Sequence, residues 1–354
     1  MHIFDYSYLK DKLLPAKLVN LTSNIAALKV LSSERRGRFA RAYSELERIA
    51  KIESVKASNA IEGIVTTDAR LAELMQESTS PLNHTEAEIA GYRDALNEIH
   101  TNSRFHDFTE ADIIGLHGML IRHAASGIEN GYKSDDNVIA ERQLDGWRIV
   151  RFSPVSAAET PEAMRQLVLA YMEARDDADI NKMLLIPCVI LDFLCIHPFA
   201  DGNGRMSRLL TLLLLYKNGY DAGKYISFEQ RISMGKDGYY EALRKSSDGW
   251  HTNENSPFPF MIDFLLTLYG CYEELDRRFA VVNAGRYTKT ARIESIVMNS
   301  LTPISKADIC RALPDVSPTT VEAVLGVLVK GGNVRKVGTG RAVRYIRSAR
   351  GENG

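Results

Sequence analysis

Apolar positions recur every three or four residues through much of the chain, a spacing that predicts amphipathic helices rather than strands. Leu46, Ile49, Ile52 and Val55 form one such stripe, running to Gly63, where a glycine lets the chain leave the helix. The pattern returns over Glu86–His100 and Thr109–Ala124, the latter with Thr109 as N-cap and Asp112 in an acidic first turn. It predicts further helices over Pro161–Arg175 and Lys182–Ile196. Between Asn137 and Phe152 the period changes. Val138, Ile139, Trp147, Ile149 and Val150 flank Asp145-Gly146, a pair suited to a tight turn, which predicts a β-hairpin over 138–151 closed by Pro154.

From Thr288 onward a different order is predicted: helices Thr290–Asn299, Ser305–Leu313 and Ser317–Lys330, then strands Val334–Val337 and Ala342–Ile346 turning through Gly338–Gly340. Three short helices followed by a basic hairpin make the winged-helix pattern. The expected fold class is therefore mainly α, a helical bundle with a small hairpin followed by a C-terminal winged helix. A length of 354 residues suits two or three domains. The boundaries read as an N-terminal helical region at 1–100, a core at 101–285 and the winged helix at 286–354.

Composition adds little until it is divided. Hydrophobic residues at 45% and charged residues at 25% are those of an ordinary globular protein. Met183–Ile196 is the longest apolar run, but Asp192 interrupts it and it is too short to span a bilayer, so it reads as a core helix. No secretory pattern opens the sequence; a cytoplasmic location and no membrane partner are expected. The four cysteines lack metal-type spacing and read as reduced thiols, so any metal would be held through oxygen. The net charge of −1 conceals a basic C-terminal part, with 12 Lys or Arg against 5 Asp or Glu over 286–354. DNA contact through 286–347 is one expectation, with Arg335, Lys336, Arg341, Arg344 and Arg347 on phosphates. Ser317, Thr319, Thr320, Glu322, Ala323 and Gly326 offer little to read bases, which leaves a protein-binding or packing module as the rival.

The chemistry concentrates in His197-Pro-Phe-Ala-Asp-Gly-Asn-Gly-Arg-Met-Ser-Arg208, between two apolar helical stretches. Gly202 and Gly204 allow a tight turn at a helix start, where backbone N–H groups suit phosphate oxygens. Arg205 and Arg208, three apart, share a helix face and can each hold a phosphate. Asp201 is a hard oxygen ligand for Mg2+ arriving with those phosphates. His197 can accept a proton near neutral pH as general base, with the Asn203 side chain stabilising developing charge. Neither Gly-Lys pair, 223–224 or 235–236, completes a P-loop.

His197–Arg208 resembles the H-x-F-x-[DE]-G-N-G-R-x-x-R motif of Fic-domain proteins at every defined position. The resemblance implies a helical Fic core that transfers AMP from ATP to a Ser, Thr or Tyr hydroxyl of a target protein and of the enzyme itself. It implies His197 as base, Asp201 for magnesium and Gly202, Asn203, Gly204, Arg205, Met206, Ser207 and Arg208 around the phosphates. Tyr239 and Tyr240 fall where the family places an aromatic beside adenine, and the 138–151 hairpin resembles the flap that docks the target as an added strand.

Ser58-Asn-Ala-Ile-Glu62-Gly63 resembles the family's inhibitory motif, on a helix of about 45–63. Glu62 would then pair with Arg208 and take the place of the γ-phosphate. The same glutamate could instead position water for deAMPylation. Relatives that move phosphate, UMP or phosphocholine are rivals within the enzyme class, and a DNA-binding regulator is the rival outside it. A homodimer is a further expectation.

Overall fold

The computed structural model describes residues 2–76, 78–123, 130–142, 148–283, 288–298, 300, 303–313, 316–338, 340 and 343–348. Asp145, Gly146, Trp147, Ala124, Asn299, Arg341 and Ala342, each named in a sequence expectation, lie outside them. The chain forms two compact units, residues 1–30 with 50–272 and residues 31–49 with 273–354.

The N-terminal third is helical: α1 (Tyr8–Asp11), α2 (Ala16–Arg38), α3 (Ala40–Ile61), α4 (Asp68–Leu74), α5 (His84–Asn102) and α6 (Glu110–Ile121). Sequence periodicity does not show the break at Phe39, whose amide still bonds to Arg35 O at 2.9 Å. Gly63 does end α3, at φ +81°. Thr109 caps α6 by accepting from the Asp112 amide. Gly91 lets α5 and α6 pack backbone to backbone, since a Cβ there would strike the Leu120 carbonyl.

The hairpin of β1 (Ile139–Arg142) and β2 (Arg148–Phe152) follows, antiparallel, with a register irregularity between Ile139 and Ala140. Then come α7 (Thr160–Asp176), α8 (Lys182–Ile196), α9 (Asn203–Lys217), α10 (Phe228–Met234), α11 (Lys236–Ser247) and α12 (Phe258–Asn283). Residues Met183 to Ile196 of α8 are all buried, as are Met206 to Tyr216 of α9. Helix α8 is apolar almost all round because it has no solvent face, whereas α9 buries Arg205, Ser207, Arg208 and Thr211 among its leucines. The one carboxylate in α8, Asp192, accepts from Tyr6 Oη and Trp250 Nε1, each at 2.7 Å. Such pairing is what permits a buried acid. All four cysteines are free thiols.

In the second unit, Tyr43 stacks on Phe279 at 4.5 Å and Arg35 pairs with Asp276 at 2.6 Å. Its C-terminal part comprises α13 (Lys289–Met298), β3 (Ile304–Ser305), α14 (Lys306–Ala312), α15 (Pro318–Lys330), β4 (Val334–Val337) and β5 (Arg344–Arg347). Ile293, Val297, Ile309, Leu313, Val321, Leu325 and Val334 form its core. The sheet order is β3-β5-β4. The sequence pattern predicts only two strands here; β3 is the addition, two residues too short to show a period, pairing Ile304 with Tyr345.

Candidate active site

Helix α8 ends because His197 turns left-handed, at φ +53°, with Pro198 next in the chain. Gly202, at φ +82°, then caps α9 without a side chain, so the amides of the first turn of α9 are left for an external acceptor. The intervening loop is tied at its carbonyls. Phe199 O accepts from Asn203 Nδ2 at 2.7 Å and Asn137 Nδ2 at 3.2 Å, Pro198 O from the Lys133 amide at 2.8 Å, and Ile196 O from Lys133 Nζ at 3.2 Å. His117 stacks on Phe199 with ring centroids 3.8 Å apart and bonds to Asp201 O at 3.1 Å.

Burial pushes the His197 imidazole down to about 4; the Lys133 ammonium acts in the same direction, against the Leu194 carbonyl and the Glu62 and Asp201 carboxylates. The ring is thus neutral at pH 7. Nδ1 lies 3.4 Å from Leu194 O and donates to it, which leaves Nε2 as the proton acceptor.

Arg208 is buried, 3% exposed, and grips the last turn of α3. Its Nε donates to Ser58 Oγ at 2.8 Å, and its Nη2 donates to Ser58 O at 3.0 Å and Glu62 Oε1 at 2.8 Å. Glu62 Oε1 lies so close to the start of α9 that a Cβ on Gly204 would collide with it. A carboxylate therefore occupies the anion position at the positive end of a helix, beside a guanidinium. Lys236 Nζ holds Ile61 O at 2.7 Å and keeps this helix end in place. Deeper in, Glu229 accepts from Ser54 Oγ at 2.7 Å and Tyr92 Oη at 2.8 Å, fastening the same helix again.

Four side chains of the loop, Asn203, Arg205, Met206 and Ser207, are buried and engaged within the fold. Asn203 is buried, and its amide oxygen also accepts from the Phe199 N–H at 2.9 Å, so it shapes the loop. Met206 is fully buried, with its own N–H bonded to Gly202 O, and the Ser207 hydroxyl donates to Gly204 O. Arg205 is not open to phosphate on its own face, because it pairs with Glu88 at 2.7 Å and Asp201 at 3.0 Å. The tertiary partners Glu88, Lys133, Asn137 and His117 carried no signal in the sequence, since each is distant along the chain and unremarkable locally.

Tyr239 is packed edge-on against Phe260 at 5.8 Å, whereas Tyr240 is 40% exposed. Both lie within the electrostatic reach of Arg208 and Glu62. Asp201 is the exposed carboxylate of the loop, its side chain 63% accessible. One such oxygen donor suits a magnesium ion that brings its other ligands as phosphates and water. Among the described residues, no cluster of three or more His, Cys, Asp or Glu could hold a metal by itself. Nor is any helix among them long and apolar enough to cross a membrane.

Residues 107–215 match the sequence model of the Fic/DOC family. The chain is 34% identical over 89 residues to a Fido domain-containing protein of Dictyostelium discoideum, covering 24% of this chain and 58% of the relative. It is 24% identical over 210 residues to a protein adenylyltransferase Fic of Nematostella vectensis, covering 56% and 44%. A probable protein adenylyltransferase of Aquifex aeolicus is 30% identical over 122 residues, covering 34% and 32%. The chain thus spans between about a third and somewhat over half of these relatives' lengths. A crystal structure of a Fic family protein from Desulfovibrio desulfuricans G20 superimposes with a TM-score of 0.61 at 20% identity, covering 96% of this chain and 98% of that one. Fic-1 from C. elegans gives 0.56 at 15%, covering 75% and 74%. With a matching family model, a shared fold and the His197–Arg208 loop all falling on the same helices, the chain carries a Fic domain.

Proposed function

We propose that this protein is an adenylyltransferase that moves AMP from ATP to a hydroxyl of a target protein, and of itself, and that Glu62 holds it inactive. The observation that carries the reading is the Glu62–Arg208 pair, which places a carboxylate at the N-terminus of α9 where a phosphate would be stabilised. Displacing Glu62 would open Arg208 and the first amides of α9 to the terminal phosphates. Nε2 of His197 would take the proton of the attacking hydroxyl as oxygen bonds to the α-phosphorus and pyrophosphate leaves. Asp201 would hold magnesium, which when bound neutralises phosphate charge. The target would lie along the β1–β2 hairpin, where Val138 and Val150 are exposed, adding its own strand.

Incubating the full chain bearing Glu62→Gly with ATP labelled at the α- or the γ-phosphate tests this. Only α-label should reach protein, and His197→Ala should abolish it. Transfer of γ-label, or α-label retained by His197→Ala, refutes the reading. Because Glu62 lies near enough to His197 to act on its charge, removal of AMP from a modified target is a second reading, tested by release of AMP from such a target.

The C-terminal part supports a winged-helix reading in which β4 and β5 meet nucleic-acid phosphates through the exposed Arg335, Lys336, Arg344 and Arg347. The outward face of α15 is Thr319, Glu322, Ala323, Gly326, Val327 and Lys330, which suits contact without base reading. Duplex binding by the full chain that weakens steeply with salt supports this; no binding at low salt opposes it.

A further inference from the structure

Lys133 is a buried cation that the proposed chemistry does not use. It lies between α6 and the hairpin, 5% exposed, and among the described residues no carboxylate forms an ion pair with it. A buried, unpaired ammonium is costly, and a site needing only packing would be better filled by an apolar side chain. What surrounds it is the active-site loop. Its Nζ donates to Ile196 O at 3.2 Å and to Asn137 Oδ1 at 2.8 Å, and its amide donates to Pro198 O at 2.8 Å. Those carbonyls stand on either side of His197. Ile196 O is moreover at the C-terminal, negative end of α8, where a cation is stabilised by the helix dipole. Asn137 passes the connection on to Phe199 O at 3.2 Å and is followed directly by Val138 and the hairpin.

We propose that Lys133 is a positioning residue for the His197 base: its ammonium fixes the carbonyl end of α8, keeps His197 in its left-handed turn and sets a positive charge beside the imidazole. The inference rests on the adenylyl-transfer reading for its effect on rate, but not for its effect on His197 itself. Three charged groups act on that ring: Lys133 disfavours its protonation, while Glu62 and Asp201 favour it. Lys133 in turn is pushed down to about 8 by burial, opposed by Asp136. At neutral pH this cation adds to burial, the larger effect, in opposing protonation of His197, against the pull of the two carboxylates.

The test follows His197 directly, by NMR titration of histidine-labelled full chain, in wild type, Lys133→Met and Lys133→Arg, with His197→Gln to assign the resonance. Lys133→Met should titrate His197 closer to the ordinary imidazole value. Lys133→Arg, which keeps the charge, should stay near wild type. In a Glu62→Gly background, Lys133→Met should lower kcat for self-modification on the order of tenfold or more through misorientation of the base, with KM for ATP little changed because Lys133 spends its hydrogen bonds on Asn137 and the carbonyls beside His197. Lys133→Arg should restore much of the loss. If Lys133→Met leaves the His197 titration where it is in wild type, or Lys133→Arg shifts it as far as Met does, the proposal is overturned. Should Glu62→Gly transfer no AMP at all, the adenylyltransferase reading fails while the titration still decides the role of Lys133.

Discussion

Replacing Glu62 with glycine removes the carboxylate from Arg208 and from the N-terminus of α9 while leaving both Ser58 contacts to Arg208 in place. The bond that is lost joins a buried guanidinium to a carboxylate whose side chain is 33% exposed. Hydrogen bonds to charged groups contribute about 1.5–3 kcal/mol, and partial exposure of one partner puts this pair toward the lower end. On the proposed reading ATP displaces Glu62 to reach Arg208, so releasing it in advance should raise the rate by roughly ten- to thirtyfold at about 1.4 kcal/mol per decade. The assay is the initial rate of self-labelling from α-labelled ATP, with nucleotide affinity measured alongside by calorimetry. Rate should rise more than affinity, because the carboxylate blocks a pose rather than the whole site. Glu62→Gln, which keeps the shape without the charge, should fall between the two. Equal labelling by wild type and Glu62→Gly would show that the pair is structural and that Glu62 inhibits nothing.

The low pKa of His197 has a definite sign. A neutral buried imidazole resists protonation, so kcat/KM of the Glu62→Gly enzyme should hold from neutral pH well below the ordinary imidazole value of 6.5 before it falls toward about 4; an acid limb at 6.5 would contradict this. Stability follows the same linkage. Below pH 6.5 the unfolded chain takes a proton that folded His197 refuses, so stability is lost as pH falls from 6.5 to about 4 and the loss then levels off. His197→Gln should show a shallower decline of melting temperature over that window. Asp192→Ala strands the Tyr6 hydroxyl and the Trp250 indole N–H, and urea unfolding should report a loss of about 2–4 kcal/mol, with Asp192→Asn costing less; a near-neutral Ala variant would mean that water replaces the carboxylate.

How far the sequence reveals the site depends on which interactions are local. Helix α6 is legible because Thr109 and Asp112 form its cap three residues apart. The run from Met183 to Ile196 shows itself as a core helix by having no polar face, and the glycines of the loop announce a turn. Ser58 and Glu62 are one turn apart, so their shared face is predictable, and the arginine they meet lies in the recognised motif. The roles of Asn203, Met206 and Arg205 are not legible in this way. Residue type suggests a ligand role for Asn203 and Arg205, and the resemblance implies one for Met206, but whether a side chain turns outward is decided by Phe199, the α9 core and Glu88, which only the fold brings near. Lys133 is the extreme case, since its partners in the loop, Ile196 and Pro198, are 63 and 65 residues away. The break at Phe39 and the two-residue strand β3 escape because neither disturbs an apolar period.

The central claim is that the His197–Arg208 loop grips the phosphates of a nucleotide with an imidazole at its entrance. A crystal structure of the Glu62→Gly chain grown with ATP and magnesium measures this most directly. The account predicts phosphate oxygens on the first amides of α9 and on Arg208, the metal on Asp201, and the α-phosphorus within reach of a hydroxyl bonded to His197 Nε2. A nucleotide bound elsewhere, or phosphates lying away from both Arg208 and the start of α9, would contradict it.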